Sequence, residues 1–387
     1  MKQAVVTLIL LALALCALPV SGNTQEKDED AYVRCTKCKN MGRVECGLHR
    51  KLDLELELGV EYCSFIATCE TCLGAGWVDC EHCENPVIEA QLEAKRARSA
   101  VVHAELQFLD ETMERPLRKV AVPHAVVVCE IESWKVKKKR LKPHAVAHLY
   151  AGRVDALVKD YMSVFGVKPK EFAERLKVLI WGFQDDHEEG ARRFMEISGK
   201  TGVKLLGIRP GFSVAQTREH FDNDEEFNRC VIHNVTHLLL SHQAPSLWLG
   251  NIKGGWADAG VAHWFEERID GLCDNYCYQE VDLTNQRGFN GGEFRVGLRK
   301  ALAKGTLPSV SQVLAMNTDT MTEDMNALAF AIVDYLINLD AAKTNQLFKL
   351  MRERKSTRDA LKEVFAINPL QLESRVLEWI RTTYPTR

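Results

Sequence analysis

The sequence predicts an α+β protein with three parts: a small cysteine-rich module, a connecting helix, and a larger domain that is strand-rich first and helical later. Three observations carry this. Two cysteine blocks of matching spacing lie within residues 35–84, and a charged stretch over 85–115 has helical apolar periodicity. From residue 116 short β-branched runs alternate with amphipathic stretches, and a mainly helical pattern takes over from Asp224 to the end of the 116–387 segment. With 46% apolar and 27% charged residues, wholesale disorder is excluded. The 50 basic and 53 acidic side chains give a net charge of -3, without the basic excess of a dedicated nucleic-acid binder.

Residues 1–22 open with Met1-Lys2, run apolar from Ala4 to Leu18 and end on Val20-Ser21-Gly22. This is the pattern of an export signal peptide, with an apolar run short for a bilayer span; a retained N-terminal anchor is the other reading. The expected location is therefore secreted or periplasmic, with no membrane span after signal removal. Residues 23–34 form a flexible acidic linker. Within the connecting helix 85–115, Val87, Leu92, Val101, Val102, Leu106 and Leu109 mark the apolar positions. Val120–Val122, Ala125–Cys129, Lys177–Trp181 and Val203–Ile208 read as strands, with a turn signal at Pro210-Gly211. His144–Phe165, Asn326–Leu339 and Leu370–Thr382 read as helices. The run Lys135 to Lys142, with five Lys and one Arg, reads as a solvated loop or hairpin; an anionic surface is its sharper alternative.

The first cysteine block is Cys35-x2-Cys38-x7-Cys46-x2-His49, and the second is Cys69-x2-Cys72-x7-Cys80-x2-Cys83. Two residues between donors let both atoms of a knuckle reach one ion, and two knuckles close a tetrahedral set, which is structural and not catalytic. Eight donors make two zinc sites. Disulfides compete, because an exported chain meets an oxidising compartment. A CxxH in the place of a CxxC favours metal, since His49 cannot bridge. Cys63 stands outside the pattern as a spare thiol.

The segment Cys69-Glu-Thr-Cys72-Leu-Gly74-Ala-Gly76 resembles the CxxCxGxG element of the DnaJ-type cysteine-rich zinc-finger domain, over about residues 35–84. The first copy is degenerate, with Lys39-Asn40-Met41-Gly42 in place of xGxG. The resemblance implies that the outer knuckles, Cys35, Cys38, Cys80 and Cys83, share one zinc. The inner set, Cys46, His49, Cys69 and Cys72, would then hold the second. Spacing alone equally allows one ion per repeat. Such a module commonly binds polypeptides or organises a partner.

Further along, His233 and His237 stand one helical turn apart, so both project from one face, as two imidazoles sharing an ion require. Downstream lie Leu247-Trp-Leu and Trp256-Ala257-Asp258-Ala259-Gly260-Val261-Ala262-His263-Trp264-Phe265-Glu266. Together these resemble the gluzincin (thermolysin-like, peptidase MA) metallopeptidases, with their HExxH helix and following W-x-x-E-G-x-A helix. The resemblance implies a zincin-like domain over 116–387. It also implies two degenerate positions. Asn234 stands where the family has the Glu that deprotonates the metal-bound water, and Ala259 where it has the third zinc ligand. Two imidazoles fall short of the three protein ligands usual for catalytic zinc. Asp258, about 100° round the helix, and His263, one turn along the Ala259 face, are the possible substitute ligands. Three readings stay open for the histidine pair: buried residues beside a relic cleft, a relic metal site without hydrolysis, or a working peptidase with a substitute base.

The functional expectation is an exported zinc-binding pseudoenzyme with a peptide or protein partner, two structural zinc ions in the cysteine module and no third ion in the C-terminal domain. An active zinc metallopeptidase with a non-standard third ligand and base is the alternative. Cys129, Cys230, Cys273 and Cys277 remain available for a disulfide, with Cys273 and Cys277 an i,i+4 candidate.

Overall fold

The structure is a computed structural model describing residues 35–48, 71–72, 76–83, 85–172, 174–198, 204–206, 211–215, 220–251, 253–275, 277 and 288–386. The segments 1–22 and 23–34 and the residues His49, Cys63 and Cys69 lie outside the described residues. The architecture is mixed α+β.

Strands β1 (Arg43–Glu45) and β2 (Trp77–Asp79) pair antiparallel, with Val44 opposite Val78. Helix α1 (Pro86–Met113) starts where Asn85 accepts from the Val87 and Ile88 N–H groups, with Pro86 at the first helical position, where its missing N–H is harmless. It serves two cores. Leu92 packs with Cys46, Cys72, Trp77, Val78 and Ile88. Further on, Val102, Leu106, Leu109 and Met113 pack on Ala121, Val126, Val128, Leu179 and Trp181. Each such fully buried aliphatic side chain contributes about 1.5–3 kcal/mol. The connecting helix is thus also the cover of one sheet face.

That sheet runs in the order β3-β4-β7-β9-β8. Its strands are β3 (Lys119–Val122), β4 (Ala125–Cys129), β7 (Leu176–Trp181), β8 (Lys204–Leu206) and β9 (Gly211–Ala215), with β4, β7 and β9 parallel and the two edges antiparallel. The basic run folds as a hairpin, β5 (Trp134–Val136) with β6 (Lys139–Leu141). Helix α2 (Pro143–Phe165) returns the chain from this hairpin towards β7. Alternation sets the faces: Ala125, Val127, Cys129, Val178 and Ile180 join the core with α2, while Val126, Val128, Leu179 and Trp181 meet α1. A short helix α3 (Gln184–Gly190) follows β7. The strand read at Val203–Ile208 is found at Lys204–Leu206. Strand β9 is a correction: Gly211 opens a strand paired between β7 and β8, because long-range pairing outweighs the local turn signal.

The helical part comprises α4 (Asp224–His242), α5 (Gly255–Asp270), α6 (Phe294–Lys304), α7 (Val310–Ala315), α8 (Glu323–Arg352), α9 (Thr357–Phe365) and α10 (Pro369–Thr383). Asn223 caps α4 through the Glu226 N–H, and the buried Asp224 carboxylate accepts from Trp134 Nε1, Tyr150 Oη and both Arg153 Nη atoms at 2.6–2.9 Å. Helix α5 packs against both α4 and α8. Gly260 makes the second approach possible, since a Cβ there would lie 2.5 Å from the Ala329 carbonyl oxygen. Helix α8 has the length and apolarity of a membrane span, yet its run Asn326–Leu336 is packed in the core. Asp340 interrupts it at φ −169° and accepts from the Lys343 N–H, capping the segment that follows.

Candidate metal centres

The first cluster is built on β1 and β2. Gly42 and Gly76, with φ of +69° and +77°, turn the chain so that their N–H groups donate to Cys38 Sγ and Cys72 Sγ, each at 3.3 Å. The two repeats then clasp each other: Cys46 N–H donates to the Gly76 carbonyl and Cys80 N–H to that of Gly42, both at 3.0 Å. This exchange brings Cys35 Sγ to 3.6 Å from Cys80 Sγ and Cys38 Sγ to 3.2 Å from Cys83 Sγ. These four could hold one metal ion. Burial opposes ionisation of Cys38, but hydrogen bonds from Cys83 and from the Gly42 N–H bring its thiol down to about 6. The bond to Cys38 is in turn the main cause holding Cys83 up, at about 12. One thiolate suppresses the next, and a divalent cation would remove that conflict. Of the inner set, Cys46 and Cys72 are buried together against Leu92, while His49 and Cys69 are not among the described residues.

The second cluster lies between α4 and α5. His233 and His237 share one face of α4, with their Nε2 atoms 3.1 Å apart. His263 of α5 stacks edge-on against His233, ring centres 4.7 Å apart. The half-buried Cys277 stands over all three, its Sγ 3.2 Å from His233 Nε2 and 3.6 Å from both His237 Nε2 and His263 Nε2. His233, His263 and Cys277 form a group that could hold a metal ion.

Carboxylates sit behind the rings. Glu266 Oε2 accepts from His233 Nδ1 at 3.0 Å and His263 Nδ1 at 3.2 Å. Its other oxygen accepts from the Asp274 and Asn275 N–H groups and from Asn275 Nδ2. Asp258 Oδ1 accepts from His237 Nδ1 at 2.8 Å, and its Oδ2 from Thr318 Oγ1 and Trp248 Nε1. With Nδ1 donating to a carboxylate, each Nε2 turns its lone pair towards the centre. The segment carrying Cys277 is tied back by Arg229 of α4, which bonds Asp270 and Asp274, and by the Cys273 N–H to the Gly292 carbonyl.

The ligand set implied by the peptidase resemblance does not fit these residues. Ala259 is buried and has no donor atom, and Asn234 is committed elsewhere, its Nδ2 donating to the Cys230 carbonyl oxygen at 2.7 Å. Of the substitute ligands, His263 reaches the cluster, while Asp258 serves the far nitrogen of His237. Cys277, a disulfide candidate by sequence, is aimed at the histidines and adds a further donor beside the pair. Cys35, Cys38, Cys80, Cys83, Cys129 and Cys273 form no disulfide. Burial pushes Cys273 well above its ordinary range, and its Sγ donates to the His263 carbonyl at 3.3 Å. Glu266 is the site residue that sequence reasoning left without a role, and Cys277 the one that it read as a disulfide candidate. The i,i+3 step from His263 to Glu266 was the available signal for the first; for the second no local spacing points to the histidines, which lie 14 to 44 positions away. Compared with known proteins, the chain matches no family model and no curated sequence.

Proposed function

We propose that this is an exported zinc-binding protein whose large domain is a catalytically degenerate, gluzincin-like metallopeptidase domain and whose role is to bind a peptide or protein partner. One observation carries the reading: beside the histidine pair the position of the catalytic base is an amide donating to its own helix, at Asn234. Both carboxylates of the cluster, Asp258 and Glu266, are engaged on the outer Nδ1 nitrogens. A carboxamide cannot take the proton of a metal-bound water, a contribution typically worth ~10²–10⁴-fold in rate. Polypeptide binding is supported by the resemblance of Cys69–Gly76 to the DnaJ-type element, and two zinc ions are assigned to Cys35, Cys38, Cys80, Cys83 and to Cys46, His49, Cys69, Cys72 on the same ground. Export rests on the apolar run of residues 1–22.

The competing reading, an active zinc peptidase, draws on His263 as a third nitrogen beside the pair. Fluorescently labelled casein, an unstructured substrate, separates the two. The expected result is saturable binding of casein by the full chain without cleavage. Cleavage abolished both by a chelator and by His237→Ala would establish the peptidase instead.

A further inference from the structure

We infer that His233, His237, His263 and Cys277 form a closed tetrahedral zinc site, structural in character, with Glu266 and Asp258 as its outer carboxylates. This goes beyond the polypeptide-binding reading and stands without it.

Distances are the first argument. Zinc takes imidazole nitrogen at about 2.0–2.1 Å and thiolate sulfur at about 2.3 Å, so a tetrahedral set of three nitrogens and one sulfur spaces its nitrogens about 3.3 Å apart and nitrogen from sulfur about 3.5 Å apart. The observed separations are 3.1 Å between His233 and His237, and 3.2, 3.6 and 3.6 Å from Cys277 Sγ to the three Nε2 atoms; His233, His263 and Cys277 already lie within mutual reach of one ion, and His237 has to close on His263 as the ion binds. Donor chemistry is the second argument. Each Nδ1 donates to a buried carboxylate, so the three Nε2 atoms are the ring nitrogens turned towards the thiol sulfur of Cys277. A dication satisfies all four at once, and Cys277 releases its proton to solvent on binding. The thiolate leaves the ion with one positive charge, and the two carboxylates behind the rings more than offset it, to a net −1, in a site where His233, His263, Asp258 and Glu266 are fully buried.

Four protein donors leave no position for water, whereas catalytic zinc keeps one open. The ion therefore joins α4, α5 and the segment after Asp270, and it does not activate a nucleophile.

The test uses the full chain. In the zinc-loaded protein Cys277 should resist N-ethylmaleimide despite its partial exposure, and should react at least tenfold faster once a strong chelator has removed the metal, as read by peptide mass spectrometry. Each of Cys277→Ser and His263→Ala should hold one zinc fewer per chain than the parent. In the cobalt-substituted protein, the parent-minus-Cys277→Ser difference spectrum should show a thiolate-to-metal band with the intense visible bands of a four-coordinate ion. Equal alkylation of Cys277 with and without chelator in the unmutated chain would overturn the proposal without relying on any variant to fold. So would an unchanged zinc count in a folded Cys277→Ser protein, or the weak visible bands of a six-coordinate ion. None of these readouts involves casein, so they are blind to the fate of the polypeptide-binding reading.

Discussion

The two clusters gather donors that could hold a metal ion in opposite ways. In the cysteine module the donors come from short knuckles on two three-residue strands, and the supporting core among the described residues is Cys46, Cys72 and Leu92 with three partly buried neighbours. In the large domain the donors come from two long helices and a tied-down segment, and the site is embedded in a continuous core that includes Val235, Phe265 and Phe330. An ion at the knuckles would add a cross-link to that small core, whereas the large domain brings its donors together through helix packing. Outer carboxylates tell the same story. The histidines have Asp258 and Glu266 held in place by five further donors, while the knuckle thiols are oriented by backbone turns at Gly42 and Gly76.

Metal removal gives the largest expected effect and the sharpest break between the regions. Structural zinc supplies about 10–16 kcal/mol to small domains of this kind. Stripping it should remove hydrogen-exchange protection from the Cys46 and Cys80 amides, which bond the Gly76 and Gly42 carbonyls. Amides of α4 and α8 should stay protected; their simultaneous loss would show that the regions are not energetically distinct.

Next in size is Asp334→Ala. Asp334 is buried and accepts from Trp264 Nε1 at 3.0 Å, Trp379 Nε1 at 2.8 Å, Tyr384 Oη at 2.9 Å and the Arg295 guanidinium. Removing it leaves Arg295 with Glu267 as its remaining carboxylate and should cost about 3 kcal/mol, the low end for a broken buried pair. A lower urea midpoint with an unchanged zinc count is expected, and a loss of zinc from the cysteine cluster would contradict the separation drawn above.

Glu266→Gln should be the mildest. It removes the carboxylate shared by His233 and His263 and should weaken zinc at the histidine cluster by about 10–100-fold, or about 1.4–2.7 kcal/mol, with no change at the cysteines. Competition with a chromophoric chelator reads this directly, and an affinity within twofold of the parent would remove Glu266 from the site.

Periodicity located most elements of the large domain. The helices at Pro143–Phe165 and Pro369–Thr383 and the strands at Ala125–Cys129 and Leu176–Trp181 fall where apolar spacing placed them, because each buries a regular face. Strand β9 was missed because Gly-Phe-Ser-Val-Ala is short and opens on a turn-forming residue, and only pairing with β7 and β8 makes it a strand. The pairing of the outer knuckles was open in the spacing, which served one ion per repeat equally well. Reciprocal bonds between the Cys46 and Gly76 backbones and between Cys80 and Gly42 bring Cys35 and Cys38 to Cys80 and Cys83.

The amino-acid order by itself determined which donors exist and which are missing: knuckles two residues apart, imidazoles one helical turn apart, an amide at 234 and a methyl at 259. Those are local facts, set by the fixed geometry of a turn or a helix. Tertiary structure alone decided that His263 and Cys277 join His233 and His237, and that Asp258 and Glu266 stand behind them. Residues 21 to 44 positions apart meet only through the packing of α4 on α5 and the tether at Arg229, and no periodicity along the chain encodes such a meeting.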